Sequence, residues 1–233
     1  MWNGKNKALT FSFDDGVLQD IKLIELFNKY GLKGTFNLNS GRLGVVSKTA
    51  IVNGVEVVTN GVVRPQDVKR VYDGQEVAVH TLVHPALCKL DDDSVVYQVE
   101  TDRKILSDLC GYEVVGMAYP GGPPNNDKRV QSLVKERTSV KYARSYPSTH
   151  TFELPKNLYE IESSVYFQHP DKMFELGQEF LNLKTETPKL FYVWGHSYEL
   201  DQDKISWERF EEFLKMMSNK TDIFYGTNKQ VLL

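Results

Sequence analysis

Residues Ala8-Leu9-Thr10-Phe11-Ser12-Phe13-Asp14-Asp15-Gly16 run an apolar, aromatic-rich strand directly into two adjacent carboxylates and a glycine. Strands of that composition are buried, and a carboxylate buried without a partner is costly. Side chains alternate between the two faces of a strand. Asp14 and Asp15 can therefore serve one site only where the strand ends, and Gly16 gives the backbone the freedom to break there. Two acids at the C-terminal end of a strand, in a chain that offers histidines in similar places, suggest a metal ion beside a base. The plainer alternative is a polar turn in which Asp14 or Asp15 caps the following helix.

Strand-like and helix-like segments alternate through the rest of the chain. Ala8–Phe13 reads as a strand, and Leu18–Tyr30 has helical apolar spacing closed by Gly31. Gly34–Leu38 is a second strand, and residues 41–63 carry an expected hairpin insertion turning at Asn53-Gly54. Pro65–Tyr72 predicts a short helix and Glu76–Val79 a buried strand ending at His80. Asp93–Leu109 predicts an amphipathic helix, Val114–Tyr119 a strand ending at Pro120-Gly121-Gly122, Asp127–Glu136 a helix and Val140–Arg144 a strand. Pro170–Leu183 (helix), Lys189–Trp194 (strand, then Gly195-His196), Trp207–Met217 (helix) and a closing strand Ile223–Gly226 complete the pattern. Repeated strand–helix units without a linker predict one β/α domain over residues 1–233, closed or nearly closed into a barrel.

Charge and composition exclude other classes. A net charge of −3 without a basic cluster gives no sign of nucleic-acid binding, and the run Asp91-Asp92-Asp93 reads as a solvated helix start. No stretch approaches the ~18 apolar residues of a membrane span. Residues 1–5 lack the apolar core of a signal peptide, so the expectation is a cytoplasmic protein or one trimmed of a leader. Cys88 and Cys110 have no CxxC spacing and read as buried free thiols, a disulfide between them being the alternative. Nothing in the sequence fixes an oligomeric state.

Four expected strand ends carry polar, chemically capable residues: Asp14-Asp15, His80, Pro120-Gly121 and His196. In β/α barrels the working face is built at the C-terminal ends of the strands. His80-Thr81-Leu82-Val83-His84 sets two imidazoles four residues apart, which suits a divalent metal; one core and one surface histidine is the alternative. Asp15 is the natural third ligand. Two histidines and a carboxylate leave positions open for water and substrate, which is a catalytic arrangement.

These residues resemble the polysaccharide deacetylases of carbohydrate esterase family 4. The first motif of that family, Thr-Phe-Asp-Asp-Gly, is matched by Ser12-Phe13-Asp14-Asp15-Gly16, the second by His80-Thr81-Leu82-Val83-His84, and the late strand ending in histidine by Phe191–His196. The resemblance implies a distorted, incomplete (β/α) barrel that binds one divalent metal, most often zinc. It gives Asp15, His80 and His84 as metal ligands, Asp14 as general base and His196 as general acid. The backbone N–H of Gly121 would meet the oxyanion, and Tyr119, Trp194 and Tyr198 are candidates to stack on a sugar ring, with core packing the alternative. The third motif departs from the pattern. Ala118 stands where the family carries the arginine that orients the base, as in a branch with Ala-Tyr-Pro there. Arg144 could supply the guanidinium from the next strand, an ordinary surface arginine being the alternative. The aspartate–tryptophan motif has no counterpart, and His150 and His169 read as surface residues. The implied activity is de-N-acetylation of an N-acetylated glycan. O-deacetylation of a glycan, hydrolysis of a small cyclic amide and a non-catalytic glycan-binding module are the alternatives; a sugar-phosphate enzyme lacks its Gly-rich phosphate loop.

Overall fold

The computed structural model describes residues 1–52, 55–201 and 204–233, so the expected Asn53-Gly54 turn lies outside the described residues. In chain order the elements are β1 (Lys7–Asp14), α1 (Gln19–Tyr30), β2 (Gly34–Leu38), β3 (Val46–Val52), β4 (Val55–Gly61), α2 (Val68–Val71), β5 (Glu76–Val79), α3 (Asp92–Cys110), β6 (Gly116–Ala118), α4 (Lys128–Arg137) and β7 (Tyr142–Ser148). They continue with β8 (Ile161–Ser163), β9 (Val165–Tyr166), α5 (Pro170–Asn182), β10 (Lys189–Gly195), α6 (Trp207–Met217), β11 (Ile223–Tyr225) and α7 (Asn228–Leu232). The main sheet runs in the order β8-β7-β6-β5-β2-β1-β10-β9, all parallel. Strand β11 shares the edge of β1 with β2, pairing at Lys7–Leu9 while β2 pairs at Phe11–Asp14. β3 and β4 pair antiparallel as a separate hairpin between β2 and α2.

The ladder is an open barrel whose gap the chain itself crosses. Its edge strands, β8 and β9, are separated in sequence only by Ser164. The Ser164 N–H donates to the Tyr192 carbonyl at 2.8 Å, which fastens that crossing to β10. An incomplete barrel is what the resemblance implied, and the closed alternative is not found among the described residues.

Alternation along the strands divides the core. Leu9, Phe11 and Phe13 of β1 pack outward with Phe27, Phe36 and Phe210 under the helices, while Thr10, Ser12 and Asp14 turn to the barrel interior and find polar partners. The lower interior is a satisfied polar layer. Buried Glu76 accepts from the Thr35 hydroxyl at 2.9 Å, the Tyr142 hydroxyl at 2.8 Å and the Lys229 N–H at 2.8 Å. Asn228 accepts from Thr10 at 2.9 Å and donates to Tyr192 at 2.6 Å. The C-terminal helix α7, capped by Thr227 and Gln230, thus closes the end opposite the predicted functional face. Burial pushes the Glu76 carboxyl up, against the pull of its three donors Thr35, Tyr142 and Lys229.

Several expectations need correction. The chain does not close on a strand, since α7 follows β11. β6 ladders over three residues only, and β7 begins two residues later than expected and runs to Ser148, so Arg144 lies inside the strand and not at its end. β8 and β9, three and two residues long, were below the resolution of periodicity. Neither Asp14 nor Asp15 caps α1, whose N-cap is Leu18; Asp91 does cap α3, accepting from the Ser94 N–H at 2.8 Å. Both cysteines are free, Cys110 buried and Cys88 only partly so. No described helix is long and apolar enough to cross a membrane.

Candidate active site

Asp14 is the last residue of β1 and is 3% exposed. Its Oδ1 accepts from Asn37 Nδ2 at 2.8 Å and its Oδ2 from Arg144 Nη2 at 2.5 Å. Burial alone would raise its pKa. The Arg144 charge, then His80 and His196, outweigh burial and hold the carboxyl at about 2. Arg144 is 1% exposed, which excludes an ordinary surface arginine, and its guanidinium lies 4.4 Å from the centroid of the Trp194 ring.

The strand breaks one residue later than the acid it buries. Asp15 has φ +78° and Gly16 φ +64°. Left-handed backbone at a non-glycine residue is uncommon. A Cβ at Gly16 would also meet Leu38 Cγ at 2.9 Å, so glycine is required there on two counts. This turn swings Asp15 to the same side as Asp14.

His80 follows β5, and its Nδ1 lies 2.9 Å from the Ala118 carbonyl, which leaves Nε2 as the free acceptor. That Nε2 is 4.0 Å from Asp15 Oδ1, and His84 Nε2 is 3.8 Å from the same oxygen. The bend between the histidines is strained, with Thr81 at φ +68° and His84 at φ +64°. Asn39 holds it by donating to the His80 and Thr81 carbonyls, and buried Asp102 accepts from the Ser40 N–H at 2.6 Å and the His80 N–H at 3.1 Å. One ligand atom from each of Asp15, His80 and His84 lies within 4.8 Å of the others. Asp15 Oδ1 is buried and accepts no hydrogen bond among the described residues. Burial keeps His80 below its usual pKa, in the neutral form that ligates metals. A carboxylate oxygen that accepts no hydrogen bond, set between two imidazole nitrogens with Arg42 Nη1 3.7 Å away, fits a divalent ion of the zinc class.

His196 follows β10, with Nε2 4.0 Å from Asp14 Oδ2 and the Tyr198 ring 5.2 Å from its own. Burial pulls its pKa down, but the Glu199 carboxylate and the charges of Asp14 and Asp15 overcome this and raise it. A cavity of about 190 Å³ joins all these residues, lined also by Tyr119, Gly121, Asn125, Tyr146 and Trp194. Gly121 has φ +81°, and its N–H finds no acceptor among the described residues. Trp194 is 2% exposed and packed between Tyr166, stacked at 4.5 Å, and Arg144; it offers no open face to a sugar. Tyr119 is core as well, its hydroxyl donating to the Tyr159 carbonyl at 2.9 Å. Tyr198 is half-buried at the mouth, and His150 and His169 are exposed surface residues. Sequence reading missed Tyr146, Asn125 and Glu199. Glu199 was the findable one, being three residues from His196 in one helical turn.

With fold and geometry in place, comparisons with known proteins add the family. Among solved structures the chain is similar to the deacetylase PplD of Streptococcus pyogenes in complex with acetate, with 17% identity and TM-score 0.54, over 65% of this chain and 61% of that one. The chain thus matches about three fifths of that protein's length. Similarity to the peptidoglycan deacetylase PdaC of Bacillus subtilis covers 97% of this chain and 90% of the other, at 15% identity and TM-score 0.59. A pseudoenzyme of carbohydrate esterase family 4 from Bacillus anthracis matches over 98% of this chain and 66% of its own, at 15% identity and TM-score 0.57. At these identities the likeness shows the fold. Comparison with curated proteins gives no significant match. The family model for polysaccharide deacetylases matches residues 3–137, a span that holds Asp14, Asp15, His80 and His84 and more than half of the sequence. The chain belongs to the polysaccharide deacetylase family.

Proposed function

We propose that this chain is a metal-dependent hydrolase that removes N-acetyl groups from an amino-sugar polysaccharide or oligosaccharide. The observation that supports this reading is the placement of an ionised, buried Asp14 beside a donor set, Asp15, His80 and His84, whose Asp15 Oδ1 accepts no hydrogen bond among the described residues. Asp15, His80 and His84 would hold the ion, with zinc the expected one. When bound, a divalent ion supplies Lewis acidity and lowers the pKa of water. Asp14 acts as general base, taking the proton of the attacking water. Arg144 keeps Asp14 ionised and oriented, from β7 in place of the missing third-motif arginine. The free N–H of Gly121 meets the oxyanion that develops on the acyl oxygen. His196 gives a proton to the departing amine nitrogen, which cannot leave as an anion. The cavity, smaller than the ~300 Å³ at which drug-sized pockets begin, admits an acetamido group and part of one ring. The remaining glycan then lies over Tyr198 and the outer surface.

The test is acetate release from N-acetylated oligosaccharides, peptidoglycan fragments and O-acetylated glycans, each with and without chelator. The peptidoglycan arm is included because PdaC is a peptidoglycan deacetylase. Chelator-sensitive release from an N-acetylated substrate is expected. Release from O-acetylated substrates alone would replace the reading with an esterase. Glycan binding without any turnover would put the chain with the pseudoenzyme.

A further inference from the structure

His196 is not held by its strand alone. It begins a turn, Ser197–Asp201, and Glu199 in that turn folds back beneath the ring. Glu199 Oε2 accepts the backbone N–H of His196 at 3.0 Å and lies 3.3 Å from its Nδ1, close enough for an ion pair though off the line of a good hydrogen bond. Nδ1 is buried and makes no hydrogen bond among the described residues, so Glu199 is the acceptor at hand. The other Glu199 oxygen, Oε1, accepts from the Tyr166 hydroxyl on β9, and Gln168 Nε2 donates to the Glu199 carbonyl at 3.4 Å. Glu199 is 9% exposed. The turn is fastened again at Ser197, whose hydroxyl donates to buried Asp20 of α1 at 2.6 Å. A buried carboxylate held at both oxygens, with one aimed at a histidine whose other nitrogen faces the cavity, is the arrangement that fixes an imidazole's tautomer and stabilises its charged form.

We propose that Glu199 is the positioning residue of His196: its carboxylate holds Nδ1–H, so that Nε2 is presented to Asp14 and to the leaving nitrogen. This rests on the reading of His196 as the general acid. In that role His196 must carry a proton on Nε2 before the amine departs and lose it in the step. Glu199 transfers no proton in the step and touches neither substrate nor the reacting atoms. The titratable and charged groups facing the ring are Asp14 and Asp15 from the end of β1 and Tyr198 and Glu199 from its own turn, with Arg144 on β7 and Tyr166 on β9 one contact further out. Of these, Glu199 is the carboxylate on the Nδ1 side.

The test uses the full chain as purified, in three forms: wild type, Glu199→Gln and Glu199→Asp. Gln keeps an acceptor for the His196 N–H and for Tyr166 but removes the charge; Asp keeps the charge on a shorter arm. The titration of His196 is read by NMR of its ring, assigned by loss of the signal in His196→Gln, and kcat and KM are measured alongside. In Glu199→Gln the His196 midpoint should fall by about one pH unit or more. Its kcat should fall at least about tenfold with KM nearly unchanged. Glu199→Asp should recover a clear part of both. An unchanged midpoint in folded Glu199→Gln, or an Asp variant no better than Gln, would reduce Glu199 to a structural residue and overturn the proposal. If wild type turns over no acetylated glycan, the functional reading fails, and the NMR midpoints still decide whether Glu199 holds His196.

Discussion

The contact between Asp14 and Arg144 is a buried ion pair, and such pairs behave asymmetrically. Removing both charges together can be nearly neutral, whereas removing one leaves the other stranded at a cost of ~3–5 kcal/mol. Both side chains are almost wholly buried, at 3% and 1% exposure, so solvent cannot rescue the survivor. Asp14→Asn, chosen to abolish proton transfer, should therefore also weaken the fold, although Asn still accepts from Arg144. Arg144→Met should be worse, because it leaves a buried carboxylate whose pKa must climb well above about 2. The double variant should be more stable than the sum of the two losses, with a coupling of ~1–3 kcal/mol in urea unfolding. Additive losses would mean that the two side chains do not act as a pair. In wild type the sign of the linkage follows from the depressed pKa. The pair's contribution is fully present above about pH 4 and is lost as the pH falls through the folded value near 2.

Elements read from the sequence place most of the site, because strand ends are where periodicity stops and polar residues begin. Asp14, His80 and His196 were legible for that reason: each follows an apolar run. Arg144 was legible only as a candidate, since Tyr142-Ala143-Arg144 alternates correctly for a strand but says nothing of which face the third residue takes. Glu199 was legible only through its spacing, three residues after His196, because the five-residue turn that brings it to the ring has no periodicity of its own. Trp194 reads equally well as a sugar platform or as core; the partners that decide it, Tyr166 and Arg144, come from distant strands. Asp20 is a further case. It lies in the first turn of α1, where helix chemistry alone would make it a solvated acid. Instead it is fully buried and bridges Tyr72, at 2.8 Å, and Ser197, at 2.6 Å, so α1 anchors the turn that carries His196. Burial raises its pKa to about 7 against the pull of those two donors. A carboxyl raised on folding stabilises the fold below its unfolded pKa and loses that contribution as the pH rises through the folded one. Wild type should thus lose stability between pH 5 and 8, and Asp20→Asn should lose less, by a few kcal/mol at most. Asp102, raised in the same direction, remains in both proteins, so the difference between them isolates Asp20. Equal slopes in urea unfolding at the two pH values would show that Asp20 does not titrate in this range.

At the scale of the whole molecule, the two ends of the barrel differ in how completely their polar groups are paired. The lower barrel interior is satisfied by Glu76, Asn228 and their hydroxyl partners, and α7 closes it. The upper end gathers left-handed backbone at Asp15, Thr81 and His84 with an Asp15 oxygen that accepts no hydrogen bond among the described residues. An ion that binds the folded chain and not the unfolded one stabilises it by RT ln(1 + [L]/Kd), about 2.7 kcal/mol at a hundredfold excess over Kd. For a chain of this length that corresponds to a rise of roughly 5–11 °C in Tm. Thermal unfolding of chelator-treated wild type should therefore move upward on adding Zn²⁺, and magnesium, which prefers all-oxygen octahedral sites, should move it much less. His84→Ala is the informative variant, because the His84 side chain is 28% exposed whereas that of His80 is 1% exposed and its loss would disturb the core whatever the metal does. Metal-free His84→Ala should unfold near metal-free wild type and show little response to Zn²⁺. If its Tm rises with zinc as far as the wild type's does, zinc binds elsewhere and Asp15, His80 and His84 are not its ligands.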